Sequence, residues 1–288
     1  MRKSFLKRCA ILWLTCALPL CGCISDRQPS PTENQEKVEN PLGFSQAPPS
    51  SSETEAPETP IEPTFWDLSD VSLADINAER KLISFTFDDA PANTLENILA
   101  VYAAFNEENP DCKASATVFF NGNRFDDSSI PLAATAYAMG FELGNHTYSH
   151  YDLTTLNESV LREEIDKTDA LLSTIDGKAR HLLRAPYGKT NDLVKSVAHT
   201  PLIDWTIDTE DWKGVSADSI YRTIYDNRFS GAIVLMHDGH KNTVEALKRL
   251  LPDLKADGYQ VVTVSQLAKA HDCVLQTGKT YIRARKQA

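Results

Sequence analysis

The chain has 288 residues, 42% of them hydrophobic and 24% charged, which is enough material for one large folded domain with a buried core. Its formal charge of -11 excludes a protein that grips nucleic acid through a basic footprint, so no nucleic-acid partner is expected.

At the N-terminus, Arg2, Lys3, Lys7 and Arg8 precede an apolar run over 9–20, the pattern of an export signal and too short for a membrane span. Leu20-Cys21-Gly22-Cys23 resembles a bacterial lipobox. On that resemblance residues 1–22 are removed and Cys23 becomes a lipidated first residue, anchoring the protein to a membrane of the cell envelope. The frame ending at Cys21 is poorer because Leu20 is large for a cleavage position, and an ordinary cleaved signal is the alternative. Residues 23–63 hold eight of the 15 prolines with many Ser, Thr and Glu, and so read as a disordered linker. The exported body keeps Cys112 and Cys273, either a disulfide or two buried thiols.

From residue 64 to 288 a single domain is expected, with apolar runs of strand length alternating with amphipathic stretches. Strands are predicted at 81–87, 116–121, 141–144, 181–185, 202–207, 232–237 and 260–264. Helices are predicted at 94–106, 131–139, 157–173, 191–198, 217–227, 243–255 and 265–270. The third helix has Thr154 or Asn157 as N-cap, Leu161, Ile165, Leu171 and Leu172 on an inward stripe, and Glu163 with Glu164 facing out. Seven such alternations point to an α/β fold with parallel strands closed or nearly closed into a barrel, an open doubly wound sheet being the alternative.

A parallel barrel places its chemistry where strands end. The polar exceptions in this chain follow apolar runs: Asp88 and Asp89, His146 and His150, Arg184, Asp208 and Asp211, and His237 with Asp238. Asp88 and Asp89 would repel each other unless a cation lies beside them, the other reading being an Asp-rich turn. His146 and His150, four apart, would share one face of a helical turn and, with one carboxylate, make a three-ligand metal site with an open position. Surface or helix-capping histidines are the plainer reading of that spacing. Two histidines and a carboxylate suit zinc foremost, with cobalt, nickel or iron open.

Thr86-Phe87-Asp88-Asp89, His146-Thr147-Tyr148-Ser149-His150, Arg184-Ala185-Pro186-Tyr187-Gly188, Asp208-Thr209-Glu210-Asp211-Trp212 and Leu235-Met236-His237 resemble, in order and spacing, the five motifs of the polysaccharide deacetylases, carbohydrate esterase family 4. The likeness covers roughly 80–270. It implies a distorted (β/α)7 barrel and a divalent metal held by Asp89, His146 and His150. Asp88 would be the general base, held by Arg184, and His237 the general acid, with Asp211 as its first-choice partner and Asp208 as its second. Tyr187, Trp212 and Leu235 would line the acetyl pocket, with the Tyr187 N–H helping to hold the oxyanion; core packing is the plainer role for Trp212 and Leu235.

The activity implied is hydrolytic removal of N-acetyl groups from N-acetylhexosamine glycans such as peptidoglycan, chitooligosaccharide or poly-N-acetylglucosamine. An O-acetyl esterase on acetylxylan-like polysaccharide and a non-catalytic glycan-binding lipoprotein are the alternatives. His181, His199, His271, Asp238, His240 and the Asp126-Asp127 pair are assigned no chemistry, and there is no G-x-S-x-G elbow or Gly-rich phosphate loop.

Overall fold

A computed structural model describes residues 64–285. The signal-like segment, Cys23 and the proline-rich stretch to residue 63 lie outside the described residues.

The centre of the sheet is β1 (Lys81–Ala90), buried along almost its whole length. Burial of successive residues on both faces is what a parallel strand covered on both sides shows. Helix α1 (Leu95–Glu108), β2 (Thr117–Phe120), α2 (Ser129–Ala138) and β3 (Glu142–Asn145) follow. Then come α3 (Glu158–Asp176), α4 (Asp192–Val197), and the two-residue strands β4 (Leu202–Ile203) and β5 (Ile207–Asp208). The chain closes with α5 (Ala217–Asn227), β6 (Ile233–His237), α6 (Lys241–Ala256), β7 (Tyr259–Val262), α7 (Val264–Ala270) and β8 (Thr280–Tyr281).

All ladders among these strands are parallel, in the order β3-β2-β1-β6-β5, with β7 also paired to the start of β1 and β4 paired to β8. The predicted strand at 181–185 is reduced to single bridges, Asn145 with Leu183 and Leu183 with Leu202, which carry the ring from β3 across to β4. The predicted strand at 202–207 is split, because β4 and β5 belong to opposite ends of that ring. The result is a distorted (β/α)7 barrel. Residues 204–206 span the seam, where the Ile203 and Asp204 carbonyls accept hydrogen bonds from Arg184 instead of continuing a ladder.

The main core lies between β1, β2 and β6 and the helices α1, α2, α5 and α6, with Phe85, Phe87, Leu95, Tyr102, Val234 and Leu247 among its buried members. Asn157 caps α3 as expected, its side chain accepting from the Val160 N–H at 3.1 Å. Glu164 corrects the expected outward pair: Glu163 is exposed, but Glu164 is buried together with Leu161, Ile165, Thr168, Asp169 and Leu172, while Leu171 is only half-buried. The physical reason is the helical period, since position 164 lies three after Leu161 and four before Thr168, on the face that meets the barrel. Cys112 and Cys273 are buried free thiols.

Candidate active site

The two adjacent aspartates reach one site because the strand is irregular where they stand. In a regular strand successive side chains point to opposite faces. Here the β1–β2 register shifts between Phe87 and Ala90, and Asp89 takes a left-handed backbone with φ 66°. Aspartate tolerates that region better than most residues, at a cost of about 1–3 kcal/mol. Asp88, still in register, is paired across the ladder with His237 of β6.

His146 and His150 come together in a different way from that expected. The segment 146–150 is not helical; Thr147 and His150 have φ values of 68° and 58°. The loop is instead pinned on the turn after β2. The Asn121 side-chain amide donates to the His146 carbonyl at 2.7 Å, Gly122 N–H to Thr147 at 3.0 Å, and Asn123 N–H to Tyr148 at 2.9 Å. Gly122 is required there, because a Cβ would stand 2.5 Å from the Tyr148 ring. The imidazoles end with ring centres 4.9 Å apart.

One ligand atom each from Asp89, His146 and His150 lies within 4.8 Å of the others, and this is the His/Cys/Asp/Glu group of metal-holding geometry among the described residues. His150 Nε2 is 3.5 Å and His146 Nε2 4.0 Å from Asp89 Oδ1. That oxygen is buried without a hydrogen-bond partner; the Arg124 guanidinium forms an ion pair with it at 3.5 Å and donates to the Asp89 carbonyl. An orphaned carboxylate oxygen facing two imidazoles fits a divalent cation. His146 Nδ1 lies 2.7 Å from the Arg184 carbonyl, which leaves Nε2 as the nitrogen open to a cation. Burial is the largest influence on both histidines and lowers their pKa values, favouring the neutral form that binds metals.

Arg184 is fully buried and donates from Nη1 to Asp88 Oδ1 at 2.8 Å and to Thr86 Oγ1 at 2.6 Å. Asp211, not Asp208, is the partner of His237: Oδ1 meets Nδ1 at 2.7 Å, while Oδ2 accepts from the His237 N–H at 2.8 Å and from Thr243 Oγ1 at 2.7 Å. Asp208 is exposed and accepts from the Glu210 N–H instead. Burial alone would lower the His237 pKa, but the Asp211 hydrogen bond and the nearby Asp88 and Asp89 charges raise it overall. Burial would likewise raise the Asp211 pKa, and its bonds from His237 and Thr243 bring it below the ordinary value.

Asp88, Asp89, His146, His150 and His237 line a pocket of about 420 Å³ with Tyr187, Gly188, Trp205, Asp208, Trp212 and Leu235. A larger hollow of about 750 Å³ between α1 and α6 shares none of these residues. Tyr187 and Trp212 are largely exposed, while Leu235 is buried. Tyr187 has φ 62°, and its ring packs edge-on against His150 at 4.8 Å. Trp205 was not anticipated from sequence. It closes the pocket against Gly188, whose φ is 65° and where a Cβ would come 3.0 Å from the indole. Arg124 was missed as well, and its signal, a cation just after a strand end, is weak. Asp238 is structural: its carboxylate holds the Ala92 and Thr94 N–H groups.

The family model for "Polysaccharide deacetylase" matches residues 75–201. The chain is 34% identical over 192 residues to a peptidoglycan-N-acetylglucosamine deacetylase of Bacillus cereus, covering 64% of this chain and 67% of that one. It is also 34% identical over 206 residues to a second such protein of B. cereus, covering 66% of this chain and 89% of the other. The chain belongs to the polysaccharide deacetylase family. The solved structure of the peptidoglycan deacetylase PdaC from Bacillus subtilis superimposes with a TM-score of 0.63 at 30% identity, covering 68% of this chain and 94% of that one. Longer polysaccharide deacetylases are spanned only in part, as with 41% of the Listeria monocytogenes protein PgdA. The family's structural neighbours share the barrel seen here, and its members use a divalent metal, for which the Asp89, His146 and His150 group is the matching feature.

Proposed function

We propose that the chain is a metal-dependent hydrolase that removes N-acetyl groups from N-acetylhexosamine glycans, peptidoglycan foremost. The observation that carries this reading is that Asp88 and His237 flank the Asp89, His146 and His150 group within one pocket. Its relatives' names point to the same bond class.

In this reading Asp89, His146 and His150 hold the cation, with zinc the first expectation. A bound divalent cation supplies Lewis acidity that acidifies water and polarises an acyl oxygen. Asp88, fixed by Arg184, accepts a proton from the attacking water. The resulting hydroxide adds to the acetamide carbonyl carbon. His237, kept protonated by Asp211, gives a proton to nitrogen as the C–N bond breaks, releasing acetate and a free amine. Leu235 and Trp212 form the apolar wall for the acetyl methyl, and the exposed Tyr187 and Trp212 rings offer faces for sugar rings.

The presence of Asp88, Arg184, Asp211 and His237 in working contact supports turnover over a purely glycan-binding role. Residues 1–22 as signal, 23–63 as linker and Cys23 as lipid anchor complete the reading, placing the domain outside the cytoplasmic membrane. Cys23→Ser should move the protein from the membrane to the soluble fraction.

The test is acetate release by the purified, metal-loaded protein on peptidoglycan, chitooligosaccharides and acetylxylan. Release from the first two is expected. Release from acetylxylan alone would replace the amidase reading with an O-acetyl esterase, and no release from any substrate would overturn both.

A further inference from the structure

The amide groups of the 146–150 loop show how its shape is held. The His146, Thr147 and Tyr148 carbonyls are taken by the turn after β2, whereas the Tyr148 and Ser149 N–H groups turn the other way, towards α3. Tyr148 N–H donates to the Glu164 carbonyl at 2.9 Å, and Ser149 N–H donates to Glu164 Oε2 at 2.6 Å. Thr147 N–H donates to Asn145 Oδ1 at 2.8 Å; Asn145 in turn donates from Nδ2 to Asp169 Oδ1 at 2.9 Å. Thr147 Oγ1 then accepts from the His150 N–H at 3.1 Å.

Asp169 is itself held from two further sides. His181 Nδ1 meets its Oδ1 at 2.9 Å and Arg180 its Oδ2 at 3.3 Å. Glu164, Asp169, Asn145 and Thr147 are all buried. Burying carboxylates is costly unless their bonds are needed, so α3 carries two acids where its pattern calls for apolar residues. Glu164 ends on the backbone of the loop that bears two of the three candidate metal ligands, and Asp169 reaches that backbone through the Asn145 side chain. That loop contains two residues in the left-handed region, a conformation that persists only when its surroundings enforce it.

We propose that Glu164 and Asp169 are positioning residues which hold the 146–150 loop in its metal-ready shape before any cation arrives. Neither touches the cation or the substrate. Glu164 fixes the loop centrally through Ser149 and Tyr148; Asp169 fixes its start through Asn145 and Thr147. The cation then meets two imidazoles already oriented, and the entropy of ordering the loop is spent on folding instead of on binding. The inference rests on the metal-dependent reading above but concerns binding of the ion, not turnover.

The experiment measures Zn²⁺ affinity of the full chain by competition with a chromophoric chelator, well below the melting temperature. Glu164→Ala and Asp169→Ala are each expected to weaken binding about 10–100-fold, the range found when groups supporting metal ligands are removed. Glu164→Gln keeps an acceptor oxygen for the Ser149 N–H and drops the charge, so it is expected to stay within about threefold of the parent. Glu163→Gln, on the exposed face, is the control. Alanine variants that melt lower yet bind Zn²⁺ as the parent does would overturn the proposal, leaving the two acids a purely structural role.

A measurement on the unaltered protein covers the case where a variant does not fold. Amide hydrogen exchange at Thr147 and Ser149 should be slow without metal and little changed by Zn²⁺. Fast exchange that slows only on Zn²⁺ addition would show a loop organised by the ion and overturn the proposal. Strong Zn²⁺ binding without acetate release would leave this inference standing while the deacetylase reading fails; no Zn²⁺ binding by the parent would overturn both.

Discussion

Asp88 and His237 face each other as register partners on two neighbouring parallel strands. The backbone ladder, with strands about 4.8 Å apart, therefore sets the separation of the proposed base and acid. Since Asp88 is held by Arg184 and is not one of the three clustered ligands, Asp88→Asn should lower kcat about 10²–10⁴-fold while metal content stays at the parent level. Acetate-release kinetics beside metal analysis check this, and loss of metal together with activity would move Asp88 into the ligand set.

The His237 pKa is raised overall by Asp211, so the proposed acid keeps its proton above the usual imidazole range. Activity should fall as pH rises through that raised value. Removing the Asp211 charge in Asp211→Asn should shift this alkaline limb to lower pH and reduce kcat. A kcat profile against pH with an unmoved limb would dissociate the two residues.

Arg184 has no exposure and one carboxylate partner. Arg184→Met should leave Asp88 buried and unpaired, costing about 3–5 kcal/mol in urea unfolding. Breaking the exposed pair of Lys167 with Glu163 should cost about 0–1 kcal/mol. Comparable losses for the two would contradict the buried clamp.

Chelation should lower the melting temperature as well as abolish acetate release, because an ion at a hundred times its Kd stabilises the fold by about 2.7 kcal/mol. Asp89→Ala, which removes the orphaned oxygen, should lose most of the response of melting temperature to added Zn²⁺. A full response in that variant would place the ion elsewhere.

His181, which holds Asp169 but does not line the pocket, provides a test of stability. Burial would lower its pKa, but the Asp169 and Asp176 carboxylates at 2.9 and 3.2 Å raise it overall. A folded-state pKa above the unfolded one contributes stability that is fully present below the unfolded value, about 6.5, and is lost as pH rises through the raised value. The stability gap between the parent and His181→Gln should therefore narrow as pH increases over that range. Chemical unfolding at a series of pH values measures it, and a gap that widened would reverse the assigned sign.

Much of this arrangement is legible in one dimension. The alternation of apolar runs and amphipathic stretches is a local property, and it locates β1, α3 and α6 within a few residues because the hydrophobic period itself selects strand or helix. The clustering of Asp88, Asp89, His146, His150, Arg184, Asp211 and His237 follows from the barrel rule that strand ends share one face. The sequence also leaves Asp211 and Asp208 as rival partners for His237, and only the fold separates them, by turning Asp211 inward and Asp208 to solvent.

Other features depend on which distant groups meet. Adjacent aspartates serve one site only because a register shift and a left-handed residue interrupt the strand, and neither leaves a mark in hydrophobic period. The histidine loop is shaped by hydrogen bonds to the 121–123 turn and to α3, not by the helical turn that a four-residue spacing suggests. Glu164 reads as a solvated charge in sequence, and Trp205 as one more strand residue. Local pattern thus determined the elements and the chemical inventory, through short-range sterics and burial. Tertiary packing decided which carboxylate faces the imidazoles, which meets Arg184 or His237 and which meets the backbone, since those contacts join residues far apart in the chain.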